Sequence, residues 1–199
     1  MMTKVHPSAA ACGATGEDVV RKGFGASVLT VWRKSLLFSC RGFTVFDAEG
    51  RLVFRVDTYG SGSTGEVVLM DAAGKPLLTL RRKKLCLGEK WLVYDGEDAV
   101  SPLYSVKKHA NLLHSRALAH VTSSRRGGGG AYGYDVEGSY ARRNCTVYDQ
   151  RRRRVAEIRE KEPVAGVAFG SDVFRLVVQS DLDTLLAMAI VIVLDYMFR

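Results

Sequence analysis

Hydrophobic and polar positions alternate in short runs along most of this chain, and turn residues separate the runs. Leu52, Phe54 and Val56 fall on one side of a period of two, with Arg51, Arg55 and Asp57 on the other beside Val53. Phe174, Leu176 and Val178 alternate with Val173, Arg175, Val177 and Gln179 in the same way. That spacing predicts half-buried β-strands. More strands are predicted over 26–39 and 138–143. One unit recurs, as "TVFDAEGRLVFRVD", "VLMDAAGKPLLTLRRKK", "LVYDGEDAVSPLYSVKK" and "TVYDQRRRRVAEIREK". Each places an aspartate (Asp47, Asp71, Asp95 or Asp149) between two apolar runs. An aspartate side chain bonds backbone amides two residues on, so it suits the start of a turn. Gly50 and Gly74 supply turn geometry. About a dozen strands joined by hairpin-length connections make a mainly antiparallel sheet.

The final run differs. Leu185–Leu194 is apolar without a break, and Asp195 then interrupts it. As a helix, 184–198 reaches roughly 22 Å. A hydrocarbon core is about 30 Å thick and takes roughly 20 apolar residues to cross. Asp195 is also costly in lipid. A helix apolar on every side is buried on every side. Ser180, Asp181 and Asp183 are candidate N-caps. A sheet this wide closes to remove its edges and leaves a lumen that side chains alone do not fill. The helix is therefore expected to plug a barrel made by the strands, and no transmembrane segment is expected.

Composition narrows the picture. The chain is 47% hydrophobic and carries a formal charge of +8. Such a surface favours anionic partners: nucleic acid, acidic protein or lipid headgroups. The four cysteines, Cys12, Cys40, Cys86 and Cys145, are far apart and fit a reducing compartment. No secretory leader is read at the N-terminus. Residues 1–25 are rich in Ala, Gly and Ser and are expected to form a mobile tail, as is the stretch around Arg125–Gly130. Residues 26–199 are expected to form one domain.

Several blocks carry a resemblance: "VWRKSLLF", "GFTVFDAEGRLVFRVD", "VVLMDAAGKPLLTLRRKKLCLGEKWLVYDGE", "EGSYARRNCTVYD" and "DVFRLVVQSDLDTLLAMAIVIVLDYMF". In this order they resemble the plant LURP-one-related family, over nearly all of 26–199. That family is similar in fold to the Tubby C-terminal domain and to phospholipid scramblases. The resemblance implies a closed antiparallel β-barrel of about twelve strands around a central hydrophobic C-terminal helix. It also implies a role in plant defence, with membrane-tethered transcription regulators in the wider superfamily. It brings no catalytic residues. The chain departs from the usual pattern at "SSRRGGGG" (123–130) and at the four arginines 151–154.

The densest basic stretch within a strand pair is Arg81, Arg82, Lys83 and Lys84. Leu78 and Leu80 set one inward parity and Leu85 and Leu87 the other, so a bulge or bend is expected between them. With Lys107, Lys108, Arg142 and Arg143 these residues form the candidate site for a lipid headgroup. The bland alternative is a solvated face that blunts a strand edge. Arg151–Arg154 are expected at an exposed hairpin tip. Asp172, Asp181 and Asp183 lie where scramblases are thought to bind calcium, but they are too few for a strong site. His109, His114 and His120 lack metal-ligand spacing, and "GSGSTG" (60–65) is no phosphate loop. No nucleophile–base set is visible, and no metal or cofactor is expected. The function expected is that of a non-enzymatic module binding an anionic phospholipid such as a phosphoinositide, or a protein partner. It is expected in the cytoplasm, peripherally at the plasma membrane, or in the nucleus. A nucleic-acid-binding regulator is the first alternative, weakened by the absence of a known nucleic-acid motif. A scramblase-like lipid mover is the second, weakened by the short last helix.

Overall fold

A computed structural model describes residues 25–37, 41–58, 65–83, 88–97, 100–110, 116–124, 132–163 and 169–198. Its strands are β1 (Ser27–Trp32), β2 (Arg41–Phe46), β3 (Leu52–Thr58), β4 (Glu66–Asp71), β5 (Pro76–Lys83), β6 (Lys90–Asp95), β7 (Tyr104–Lys108), β8 (Ala117–Ser123), β9 (Gly133–Ser139), β10 (Asn144–Asp149), β11 (Arg154–Glu160) and β12 (Val173–Val178). The helix α1 (Thr184–Phe198) follows them. Each strand runs antiparallel to its predecessor, and β1 also pairs with β12, so the sheet is a closed barrel. The tail 1–24, the glycine-rich stretch 125–131 and the phase slip at 84–87 lie outside the described residues.

Three hairpins share one build, and the sequence shows why. In the turns at Asp47, Asp71 and Asp149, the aspartate amide meets the carbonyl four residues on, at 2.9–3.0 Å. Its carboxylate accepts the amide of that same residue: Arg51 at 2.8 Å, Lys75 at 2.9 Å and Arg153 at 2.8 Å. The third residue after the aspartate takes a positive φ: Gly50 at 79°, Gly74 at 91° and Arg152 at 60°. Glycine adopts that conformation freely, whereas an L side chain is strained there. Arg152 is held nonetheless, by Glu137 at 2.7 Å and by stacking 4.3 Å over the Tyr148 ring.

Each of these hairpins also shifts register by a bulge. At the first, Val53 packs against the core while Leu52, opposite Phe46, does not. Simple alternation had put Leu52 inward; the extra residue of the bulge reverses the assignment. Two strand predictions need similar correction. The strand predicted over 26–39 stops at Trp32, where the Arg33 amide turns to the Asp172 carbonyl at 2.7 Å. The strand predicted over 138–143 is instead the end of β9 followed by a turn. Gly138 has φ 117°, and an added Cβ there would lie 2.2 Å from the Asn144 carbonyl oxygen. Arg143 in the same turn has φ 48°. Apolar alternation does not reveal so close a crossing of backbones.

The helix lies inside. Of its fifteen residues only Leu185, Tyr196 and Phe198 are not fully buried. Asp183 caps it by accepting the Leu185 amide at 2.8 Å. Lys108 closes the other end: its ammonium donates to the Met197 carbonyl at 2.6 Å and lies 4.6 Å from the Phe198 ring centre. A cation there opposes the negative helix end. Asp195, which interrupts the apolar run, is almost wholly buried and accepts from Arg33 and the Tyr140 hydroxyl, both at 3.3 Å. The barrel thus has two rims. The three aspartate hairpins and the start of α1 share one, and the end of α1 lies at the other. No helix among the described residues is long and apolar enough to cross a membrane.

Candidate anion-binding surface

On β5, Leu78 and Leu80 are buried, so Thr79, Arg81 and Lys83 share the opposite, outer face. The register then aligns basic side chains across the consecutive strands β5, β6 and β7. Lys83 sits opposite Lys90, Lys90 opposite Lys107, Lys107 opposite His120, and His120 opposite Asp135. Adjacent strands are roughly 4.8 Å apart, so three lysines fall across about 10 Å of wall. Lys83 and Lys107 are exposed and Lys90 is half-buried.

Nearby acids are engaged elsewhere. Glu66 pairs with Arg81 at 2.7 Å, and Glu89 forms ion pairs with Arg82 at 3.4 Å and Lys108 at 3.7 Å. Asp135 takes the imidazole of His120 at 2.7 Å. Among the described residues, no ion pair involves Lys83, Lys90 or Lys107. Like charges directly opposite one another destabilise a sheet. Stability therefore does not account for the row, whereas a multivalent anion placed over it would relieve the repulsion.

The barrel disperses the other predicted site residues. Arg81 points outward but is tied to Glu66, with its guanidinium 5.6 Å from the Tyr94 ring centre. Arg82 lies opposite Trp91, on the lumen-facing parity, and emerges at the mouth beside Glu89. Lys84 lies outside the described residues. Lys108 holds the helix end. Arg142 is exposed in the turn after β9. Arg143 is buried, stacked 4.3 Å from both the Tyr140 and Phe174 rings, with its Nε donating to the Ser171 carbonyl at 2.8 Å. The structure thus brings together Lys83 and Lys107 from the predicted set and adds Lys90 and His120. Lys90 precedes an apolar strand as an ordinary flanking charge, and His120 looks isolated. Only the cross-strand register joins them.

The arginine turn is built differently. Arg152 pairs with Glu137 at 2.7 Å, and Arg153 with Asp149 at 2.8 Å and Asp181 at 2.9 Å. Arg154 pairs with Glu157. A cleft of about 340 Å³ beside this turn is lined by Tyr132, Tyr134, Arg151, Arg153 and Asp181 among others, and its charges largely neutralise one another. The possible calcium ligands are split between rims. Asp172 is bound to Arg33 near the end of α1, while Asp181 and Asp183 sit at its start, engaged by Arg153 and the helix cap. Among the described residues, no group of three or more His, Cys, Asp or Glu is placed to hold a metal ion. Burial pushes the Cys145 thiol up to about 12 despite the pull of Arg143, which makes it a poor nucleophile.

The sequence profile of the LURP-one-related family matches residues 27–195. Protein LURP-one-related 8 of Arabidopsis thaliana is 48% identical over 202 aligned positions, covering 100% of this chain and 99% of the relative. Protein LURP-one-related 5 of the same plant is 44% identical over 177 positions, covering 85% and 82%. The X-ray structure of a further Arabidopsis thaliana protein superposes with a TM-score of 0.63 at 23% identity, over 87% of this chain and 92% of the other. That likeness is one of fold.

Proposed function

This chain belongs to the LURP-one-related family, and on that premise we propose that it is a non-enzymatic module whose outer wall binds the polyphosphorylated headgroup of an anionic membrane lipid. The observation that carries this reading is the register-aligned row Lys83–Lys90–Lys107, which has no acid partner among the described residues. Several phosphates close together match a row of ammonium groups better than a single charge does. The formal charge of +8 adds long-range attraction to an anionic surface.

The test is sedimentation with phosphatidylcholine vesicles, with and without phosphatidylinositol bisphosphate, at two salt concentrations. The protein should bind only the phosphoinositide vesicles, and less tightly at the higher salt. Replacing Lys83, Lys90 and Lys107 together by Ala should weaken binding about a hundredfold, at roughly 1 kcal/mol for each basic residue. Equal binding to both vesicles, or none at low salt, removes the lipid reading and leaves an acidic protein as the partner to seek.

A further inference from the structure

The segment leaving β1 holds two large apolar side chains in water. Trp32 is 39% exposed and Leu36 51%. Single exposed apolar residues are ordinary, but these two stand on a braced backbone. Arg33 donates to Asp172 at 2.9 Å and to buried Asp195 at 3.3 Å. The Lys34 carbonyl accepts from the Thr44 hydroxyl at 2.6 Å. Ser35 is buried and donates to buried Asp57, which also accepts from Arg55 at 2.8 Å. The Leu37 amide donates to the Ser35 hydroxyl at 3.0 Å. Polar anchors thus fix 33–37 from the inside, and Leu36 is kept from folding back onto the barrel.

The surroundings suit a bilayer. Lys34 lies 5.1 Å over the Trp32 ring, and Arg41 is exposed at the start of β2. Val173, opposite Trp32, extends the apolar surface. The pair lies at the rim where α1 ends, and so does the lysine row, about half-way round the closed barrel: Lys83 ends β5 and Lys90 begins β6, so a bilayer meeting both lies across this mouth. Tryptophan with flanking cations is the composition of a membrane–water interface.

We infer that Trp32 and Leu36 form an apolar anchor that enters the interfacial layer of an anionic bilayer, while Lys34 and Arg41 remain with the headgroups. This rests on the reading of the lysine row as facing lipid. Preorganisation by Ser35, Thr44 and Arg33 lowers the ordering cost of contact.

The chain has two tryptophans, and Trp91 is 1% exposed, so a lipid-dependent change in emission reports Trp32. The experiment uses the full chain with phosphatidylcholine vesicles containing phosphatidylinositol bisphosphate, with and without bromine on the acyl chains. Emission should move to the blue and be quenched by the brominated vesicles, and Trp32→Phe should remove both changes. Trp32→Ser with Leu36→Ser should lower binding about tenfold at high salt and little at low salt. Sedimentation without quenching overturns the anchor and leaves the lysine reading standing. No sedimentation overturns both. A blue shift in protein alone that grows with concentration assigns the face to a second copy, and also overturns the anchor.

Discussion

The arginine turn and the lysine row hold similar charge and differ in everything that makes charge available. Arg151–Arg154 are four consecutive cations, as dense a run as Arg81–Lys84. Three of the four have carboxylates in contact, and Arg152 also lies over Tyr148. Lys83 and Lys90 flank one hairpin loop and Lys107 lies a strand further on, yet the three stand side by side, with no ion pair among the described residues. Density of charge along a chain is therefore a poor guide to which cations the fold leaves without a counter-charge. What counts is whether the fold supplies local counter-charges.

The comparison can be broken most directly by charge reversal. Replacing Lys83, Lys90 and Lys107 by Glu should reduce binding to phosphoinositide vesicles by more than about a hundredfold, whereas replacing Arg151–Arg154 by Gln should reduce it about threefold or less. Equal losses in sedimentation would mean that total charge, and not placement, governs binding. A third cation sharpens the role of pairing. Arg33→Leu leaves Asp195 buried without its guanidinium and should cost about 3 kcal/mol in denaturant unfolding. Leu at both positions should recover part of that loss. At the hairpins, Gly50→Ala should cost about 1 kcal/mol, because the positive φ is strained although nothing lies within 4 Å of the new Cβ. Arg152→Gly at the equivalent position should change stability less, since relief of strain offsets the lost partners. Lys90→Gln should raise stability by about 0.5 kcal/mol or less while weakening vesicle binding, the opposite signs expected of a site that strains its own sheet.

Smallest is a pH effect at the turns. Loss of hydration raises the carboxyls of Asp47 and Asp149, but bonds from backbone amides and from Arg51 or Arg153 outweigh it, so both lie below the ordinary value. A depressed folded-state value stabilises above the unfolded one, about 4, and that stability fades as pH falls through the folded values. Asp47→Asn with Asp149→Asn should flatten the acid limb of a thermal-melt series below about pH 4. An unchanged limb would show that these turns contribute nothing to it.

Much of the fold was legible because its signals are local. Asp47, Asp71 and Asp149 each mark a turn whose bonds reach only four residues, and the apolar helix announces its burial by composition. The bulges at the aspartate hairpins were not legible: Leu52 and Val53 are both apolar, and only pairing with β2 decides which packs inward. The candidate site was legible in part. Lys83 and Lys107 could be nominated from basic clusters, but so were Lys108 and Arg143, which the structure commits to the helix end and to an aromatic slot. Inward and outward parity at a barrel mouth depends on where each strand ends, which adjacent residues in sequence do not disclose.

By itself, the sequence determined that the chain is a run of hairpin-connected strands, though not every strand end, and that its helix is too short and too apolar to lie anywhere but inside a closed sheet. Those properties follow from period, turn chemistry and hydrophobic burial, all of which act over a few residues. The tertiary structure alone decided which charges meet. Ion pairing falls steeply with distance and solvent exposure, so whether an arginine is neutralised or a lysine left free depends on register across strands. That register placed Glu137 under Arg152 and Lys83, Lys90 and Lys107 in one row, and the seating of α1 in the lumen placed Asp195 beside Arg33.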